Sequence, residues 1–119
     1  MLVCKFGGTS VGTKEALSSL ASIIKNPEHE GRVKVIVVSA LSGITDGLIK
    51  TARIAQESSG GASAGEHVAK LIAEMKKRHL DLCAAFLKNE ERKEAAKEIE
   101  QSFAELSRMM DGIAILREI

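Results

Sequence analysis

The run VKVIVVSA, residues 33–40, constrains the fold of this chain more than any other stretch. Val33, Val35, Ile36, Val37 and Val38 are all β-branched, and they do not alternate with polar residues. Such a run has no face to offer water, which marks a strand buried on both faces of a parallel sheet. A parallel strand needs a neighbour reached by a crossover. MLVCKF, residues 1–6, has the β character to be that neighbour, and a helix fits between the two. Leu17, Leu20, Ala21 and Ile24 recur on one helical face, Thr13 stands as N-cap, and Asn26–Pro27 ends the element. EHEGR, residues 28–32, is a polar connection into the second strand. Beyond Gly43, Leu48, Ala52 and Ala55 mark another helix, with Thr45 or Asp46 as its cap. Residues 1–56 therefore predict an α/β fold class, a βαβα unit with a right-handed crossover.

The second half is of a different kind. ESSGGASAGE, residues 57–66, is a Ser/Gly/Ala stretch expected to act as a flexible linker. Residues 67–119 then predict a long αα-hairpin. Val68, Leu71, Ile72, Met75, Leu82, Cys83 and Phe86 form the stripe of its first helix, and Lys88, Asn89 and Glu90 make the break. Ala95, Ala96, Ile99, Phe103, Leu106, Met110 and Ile113 form the stripe of the second. Two strands make a poor sheet, and GIAILREI keeps apolar residues running to the end of the sequence. The expectation is the first part of a larger α/β domain, or a small domain completed by oligomerisation.

Composition removes several classes of function. The net charge is +1 with both signs mixed along the chain, and there is no Trp or Tyr, so neither a basic footprint nor a stacking platform for nucleic acid exists. No apolar run is long enough to span a bilayer, and MLVCKF is too short for a signal peptide, which points to the cytoplasm. Cys4 and Cys83 read as separate free thiols in apolar segments of a reducing compartment. His29, His67 and His79 are not at metal-ligand spacing, and His79 beside the apolar stripe reads as a packing residue. Asp81 and the cluster Glu90–Glu94 read as solvated helix faces, and Met109 and Met110 as core or interface.

The chemistry lies in the two turns. KFGGTSVG, residues 5–12, follows the first strand with Lys5, then Gly7 and Gly8, then Thr9 and Ser10. Glycines there let a ligand approach the backbone, and a helix starting close behind aims its first amides and positive dipole end at the turn. Lys5 adds a mobile positive charge of the kind that neutralises phosphoryl oxygens, and the two hydroxyls add neutral donors. On spacing alone, a phosphate cradle and a plain strand-to-helix turn stand about equal. With glycines at 7, 8 and 12, the stretch is neither a Walker A loop nor G-x-G-x-x-G. The second turn, SALSGITD, places Ser39, Ser42 and Thr45 around Gly43 before the next helix. Helix capping alone accounts for those residues, but two such turns from adjacent parallel strands could hold one ligand between them.

These two blocks carry a family resemblance. Residues 5–11, KFGGTSV, are similar to the amino-terminal signature of the aspartokinases at full length, and VVSALSGITDGL, residues 37–48, resembles their second block, V-S-A-x-x-x-x-T-[ND]-x-L. The first block is highly specific, the second moderately so, and the resemblance extends by composition through the hairpin. It implies a three-layer αβα amino-acid kinase fold and phosphorylation of the β-carboxylate of L-aspartate by MgATP, the entry step to lysine, threonine and methionine synthesis. By the same resemblance Lys5 would contact the ATP phosphates and stabilise transition-state charge. Gly7 and Gly8 would line the phosphate cradle with Thr9 and Ser10 beside it, and Ser39 and Thr45 would face the aspartate. The cofactors implied are ATP and Mg2+, no protein-borne metal site is implied, and the full-length protein would be a homo-oligomer.

The family's later S-x-G-E-x-[LM]-S block, its downstream nucleotide-binding segments and its regulatory ACT domains have no counterpart in the 119 residues. The expectation is therefore an amino-terminal portion of a catalytic domain, inactive by itself. Two other readings stay open: a different amino-acid kinase of the same fold, and a non-catalytic module that associates through its helical hairpin.

Overall fold

The computed structural model describes residues 1–7, 11–29, 31–57 and 62–117. The chain forms two compact units, Met1–Thr45 and Asp46–Ile119. Mixed α/β structure is present as expected, with the strands confined to the first unit.

In that unit, strand β1 (Leu2–Phe6) is followed by helix α1 (Lys14–Lys25), a 3-10 turn (Pro27–His29) and strand β2 (Val33–Val38). The strands pair in parallel, with Cys4 opposite Ile36, Lys5 opposite Val37 and Phe6 opposite Val38. A one-residue irregularity between Leu2 and Val3 takes up Lys34, so the register beyond it brings the strand ends level. Helix α1 begins where the sequence says it should. Thr13 is extended (φ −138°, ψ 166°) and its Oγ1 accepts the Ala16 amide at 3.1 Å. An N-cap of this kind is worth about 1 kcal/mol. The helix stops at Lys25, with Asn26 as C-cap ahead of Pro27, whose ring cannot continue it. Asn26 also accepts the Glu28 amide through its side chain, 2.9 Å away, and so shapes the 3-10 turn that follows.

One expectation fails here. Val35, Ile36, Val37 and Val38 are 45–54% exposed, so β2 is not buried on both faces. The reason is topological. Among the described residues the sheet has two strands, and a pair of strands leaves each member with an open edge and partly open faces.

Helix α2 (Ile44–Glu57) starts one residue before Thr45 and two before Asp46, the caps expected for it. The Ile44 amide bonds back to the Leu41 carbonyl at 3.0 Å, and Gly43 has φ 84°. Glycine in the left-handed region at the third position of a hydrogen-bonded four-residue turn is what a type II turn requires. The turn delivers the chain into the helix directly at Ile44, which places Thr45 and Asp46 within the first turn rather than ahead of it. Asp46 there still complements the helix dipole.

Helices α3 (Ala62–Phe86) and α4 (Asn89–Arg117) make the expected hairpin. Helix α3 begins inside the stretch expected to be a linker, and α2 runs to Glu57, so of residues 57–66 only 58–61 lie outside the described elements. Alanines and serines are tolerated in a helix once its later turns are held by packing, which propensity read locally does not register. Val68, Ile72, Met75 and Cys83 from α3 and Met110 from α4 are buried, while Phe86, at the end of its helix, is exposed. Across the hairpin His79 meets Phe103 edge-on, with ring centres 5.2 Å apart, so the histidine is a packing residue as its sequence position indicates. Its Nδ1 also lies 2.7 Å from the Met75 carbonyl. Lys76 Nζ reaches Glu100 Oε2 at 3.2 Å, a half-exposed pair worth about 1 kcal/mol at most. At the tip only Leu87 and Lys88 join the helices, and Asn89 takes φ 54°, a conformation asparagine reaches more readily than most residues. Cys83 and Cys4 are both free thiols.

Candidate functional site

Burial alternates along β1 with the two-residue period of a strand. Leu2, Cys4 and Phe6 are half-buried, whereas Val3 and Lys5 are exposed. Lys5 therefore stands on the open face of the sheet, one residue before the strand ends. Gly7 continues the chain into open space, since a Cβ built there meets nothing within 4 Å. A ligand can approach the backbone at that point without displacing a side chain. Gly8, Thr9 and Ser10, the remaining members of the expected cradle, lie outside the described residues. The chain is described again at Val11, which is only 2% exposed. Val11 is thus an apolar anchor just ahead of the cap of α1, a role that one valine among glycines and hydroxyls does not announce in the sequence.

The cap itself affects what α1 can offer a ligand. Thr13 Oγ1 takes the Ala16 amide, and the Thr13 carbonyl takes the Leu17 amide, so two donors of the first turn are committed within the chain. Glu15 puts a carboxylate in the same turn and partly offsets the positive dipole end.

The second turn begins beside the first. The Ser39 amide donates to the Phe6 carbonyl at 3.2 Å and carries the parallel ladder one step past the end of β2. Ser39 Oγ is exposed and donates to the Ala40 carbonyl at 2.8 Å. That local bond can be exchanged, because a hydroxyl proton turns freely towards an entering acceptor. Thr45 is exposed in the first turn of α2, six residues further on. The strand pairing thus brings Lys5, Gly7 and Ser39 to one end of the sheet, with neighbouring strands about 5 Å apart. The carboxyl ends of parallel strands are where open α/β sheets bind ligands.

A concavity of about 620 Å3 lies against Ala52, Gln56, Ile113 and Leu116 in the other unit. One amide among apolar groups gives it no catalytic chemistry. Gly47 and Thr51 are two further residues that sequence reasoning passed over. Thr51 is completely buried, and a threonine in a helix otherwise reads as surface.

Lys5 and Gly7 at the end of one strand and the hydroxyl-bearing Ser39 after its parallel neighbour thus lie together in a mixed α/β fold. The family model described as "Amino acid kinase family" matches residues 1–116, and the chain belongs to that family. Among curated proteins it is similar to an aspartokinase of Chlamydia trachomatis, 47% identical over 53 residues, which is 44% of this chain and 11% of that protein. An aspartate kinase of Stutzerimonas stutzeri is also 47% identical over 53 residues, covering 44% of this chain and 13% of its own length. An aspartokinase of Pseudomonas aeruginosa is 49% identical over 49 residues, covering 41% and 12% respectively. The matched region thus spans only 11–13% of the length of these relatives. Among the described residues no helix is long and apolar enough to cross a membrane.

Proposed function

We propose that this chain forms one wall of an aspartate kinase active site, in which the γ-phosphoryl group of MgATP passes to the β-carboxylate of L-aspartate. The observation that supports the reading is the Ser39–Phe6 backbone hydrogen bond, which keeps the hydroxyl-bearing Ser39 level with the end of β1, where Lys5 and Gly7 lie. Similarity to aspartokinases favours aspartate among the carboxylates that such a pair could accept.

In this reading Lys5 neutralises charge on the transferring phosphoryl oxygens, and Gly7 and Gly8 let those oxygens approach the backbone. Thr9 and Ser10 donate beside them, while Ser39 and Thr45 hold the aspartate carboxylate. The transition state of phosphoryl transfer is stabilised mainly by position and charge, so one lysine in the correct place supplies a large share of what a wall of this site can contribute. Magnesium enters with the nucleotide phosphates, its usual mode in phosphoryl transfer.

The half-open faces of β2 accord with a place inside the three-layer αβα sandwich, covered by further parts of a kinase domain. The 119 residues alone bind weakly and do not turn over, because half a site neither aligns nor encloses its reactants. The active protein is a cytoplasmic homo-oligomer acting at the head of lysine, threonine and methionine synthesis. The test is aspartyl phosphate formation, trapped as the hydroxamate, by the isolated chain and by the protein that carries it. Aspartate-dependent product from the longer protein supports the reading; its absence with aspartate but presence with another carboxylate or carbamate shows a different kinase of the family.

A further inference from the structure

Lys5 has a definite set of neighbours on its own face of the sheet. Val37 is its partner across the strand pairing, and Val3, two residues back along β1, is paired with Val35. Residues opposite one another in a ladder, and residues two apart on one strand, share a face, so Val3, Lys5, Val35 and Val37 stand together. Cys4 and Phe6, paired with Ile36 and Val38, belong to the other face. Lys5 thus has one valine behind it and another beside it, about 5 Å away across the strands. Ahead of it, the next position two residues on is Gly7, where a built Cβ meets nothing within 4 Å. A lysine lays its stem along apolar surface and keeps its ammonium group in water. Among the described residues that surface stands on two sides of Lys5, and the open lane runs over Gly7 towards the turn. Val37 is β-branched, hence stiff at χ1, and 45% of it is exposed, so its methyl groups form a fixed wall that the stem can reach.

We propose that Val37 is a positioning residue for Lys5: its methyl groups bear on the lysine stem and direct the ammonium group along the strand towards the glycine turn. The inference rests on the reading of Lys5 as the charge that meets the phosphoryl oxygens. A lysine stem is long and flexible, and holding it in one direction before a substrate arrives removes an entropy cost from the transition state. Val37 acts only through Lys5. Both residues lie in the unit Met1–Thr45, so the effect needs nothing from the helical hairpin.

The test has a structural arm and a kinetic arm. In this chain, NMR reads nuclear Overhauser contacts between the Val37 methyl groups and the β, γ and δ methylenes of Lys5, and carbon relaxation reads the mobility of the Lys5 ε methylene. Contacts and a restricted ε methylene are expected, with the restriction lost in Val37→Ala and kept in Val37→Ile. Absence of the contacts in the unsubstituted chain overturns the proposal, and that reading needs no variant to fold. In the active protein that carries this chain, Val37→Ala lowers kcat about fivefold to tenfold and Val37→Ile less than about twofold, with KM for ATP and for aspartate within about twofold, the pattern of an interaction expressed in the transition state. In a Lys5→Ala background Val37→Ala lowers kcat no further, the non-additivity expected of a residue that acts through its neighbour. An unchanged kcat in Val37→Ala, or a loss of equal size with and without Lys5, overturns the positioning role. Near-normal turnover in Lys5→Ala by itself overturns the reading of Lys5 on which the inference rests, whatever Val37 does.

Discussion

The Ser39 amide donates to the Phe6 carbonyl at 3.2 Å, and through that bond the residue after β2 lies level with the end of β1. Lys5, one residue before Phe6, is exposed on the open face of β1. In the proposed function that end of the sheet is where a phosphate and a carboxylate would meet.

Lys5→Ala should lower phosphoryl transfer by about a hundredfold to a thousandfold, the range found when one preorganised donor to transition-state charge is removed. Lys5 is exposed and makes no core contact, so stability should stay within about 0.5 kcal/mol. Aspartyl phosphate formation and urea denaturation on the same preparation separate the two effects. Near-normal turnover would remove Lys5 from its role.

Thr45→Val should raise KM for aspartate several-fold and leave KM for ATP nearly unchanged. The substitution keeps the shape of the side chain and deletes its hydroxyl at an exposed position in the first turn of α2. Saturation curves for the two substrates decide the matter, and an effect confined to ATP would mean that the two turns hold the opposite ligands.

Thr13→Ala should cost about 1 kcal/mol by removing the hydroxyl oxygen that accepts the Ala16 amide. The loss should show as a lower denaturation midpoint with an unchanged slope. Thr13→Ser retains the oxygen and should recover most of it, an outcome that a simple packing role for the threonine methyl would not produce.

In the hairpin, a buried aliphatic residue should matter far more than the interhelical ion pair. Ile72→Ala is expected to cost about 2–5 kcal/mol, because it deletes buried methyl groups and leaves a cavity. Lys76→Met, which breaks the half-exposed pair with Glu100, should cost less than about 1 kcal/mol and nothing measurable at 1 M salt. Denaturation of both variants at low and high salt tests the ranking directly.

Much of this protein is written locally. Thr13 ahead of the apolar face of α1, and Asn26–Pro27 behind it, determine where that helix starts and stops, because caps and proline act on backbone within a residue or two. The stripes of α3 and α4 meet as a hairpin because their apolar residues recur at the helical period. Lys5, Gly7, Ser39 and Thr45 can be picked out as candidate chemistry because hydroxyls, glycines and a lysine at strand ends have few local reasons to be there.

Other features depend on groups far apart in the chain. The apolar run of β2 reads as a strand buried on both faces, yet its residues remain about half exposed, because burial depends on which elements cover a strand. The start of α2 at Ile44 follows from a glycine turn whose hydrogen bond, Ile44 to Leu41, overrides the capping preference of Thr45 and Asp46. Burial of Thr51 and the approach of Gly47 to Met75 come from how two helices meet, 28 positions apart at that contact. Residue types and spacing thus determined the elements and the chemistry available at their ends. Packing between distant segments decided which of those residues are enclosed and which are open.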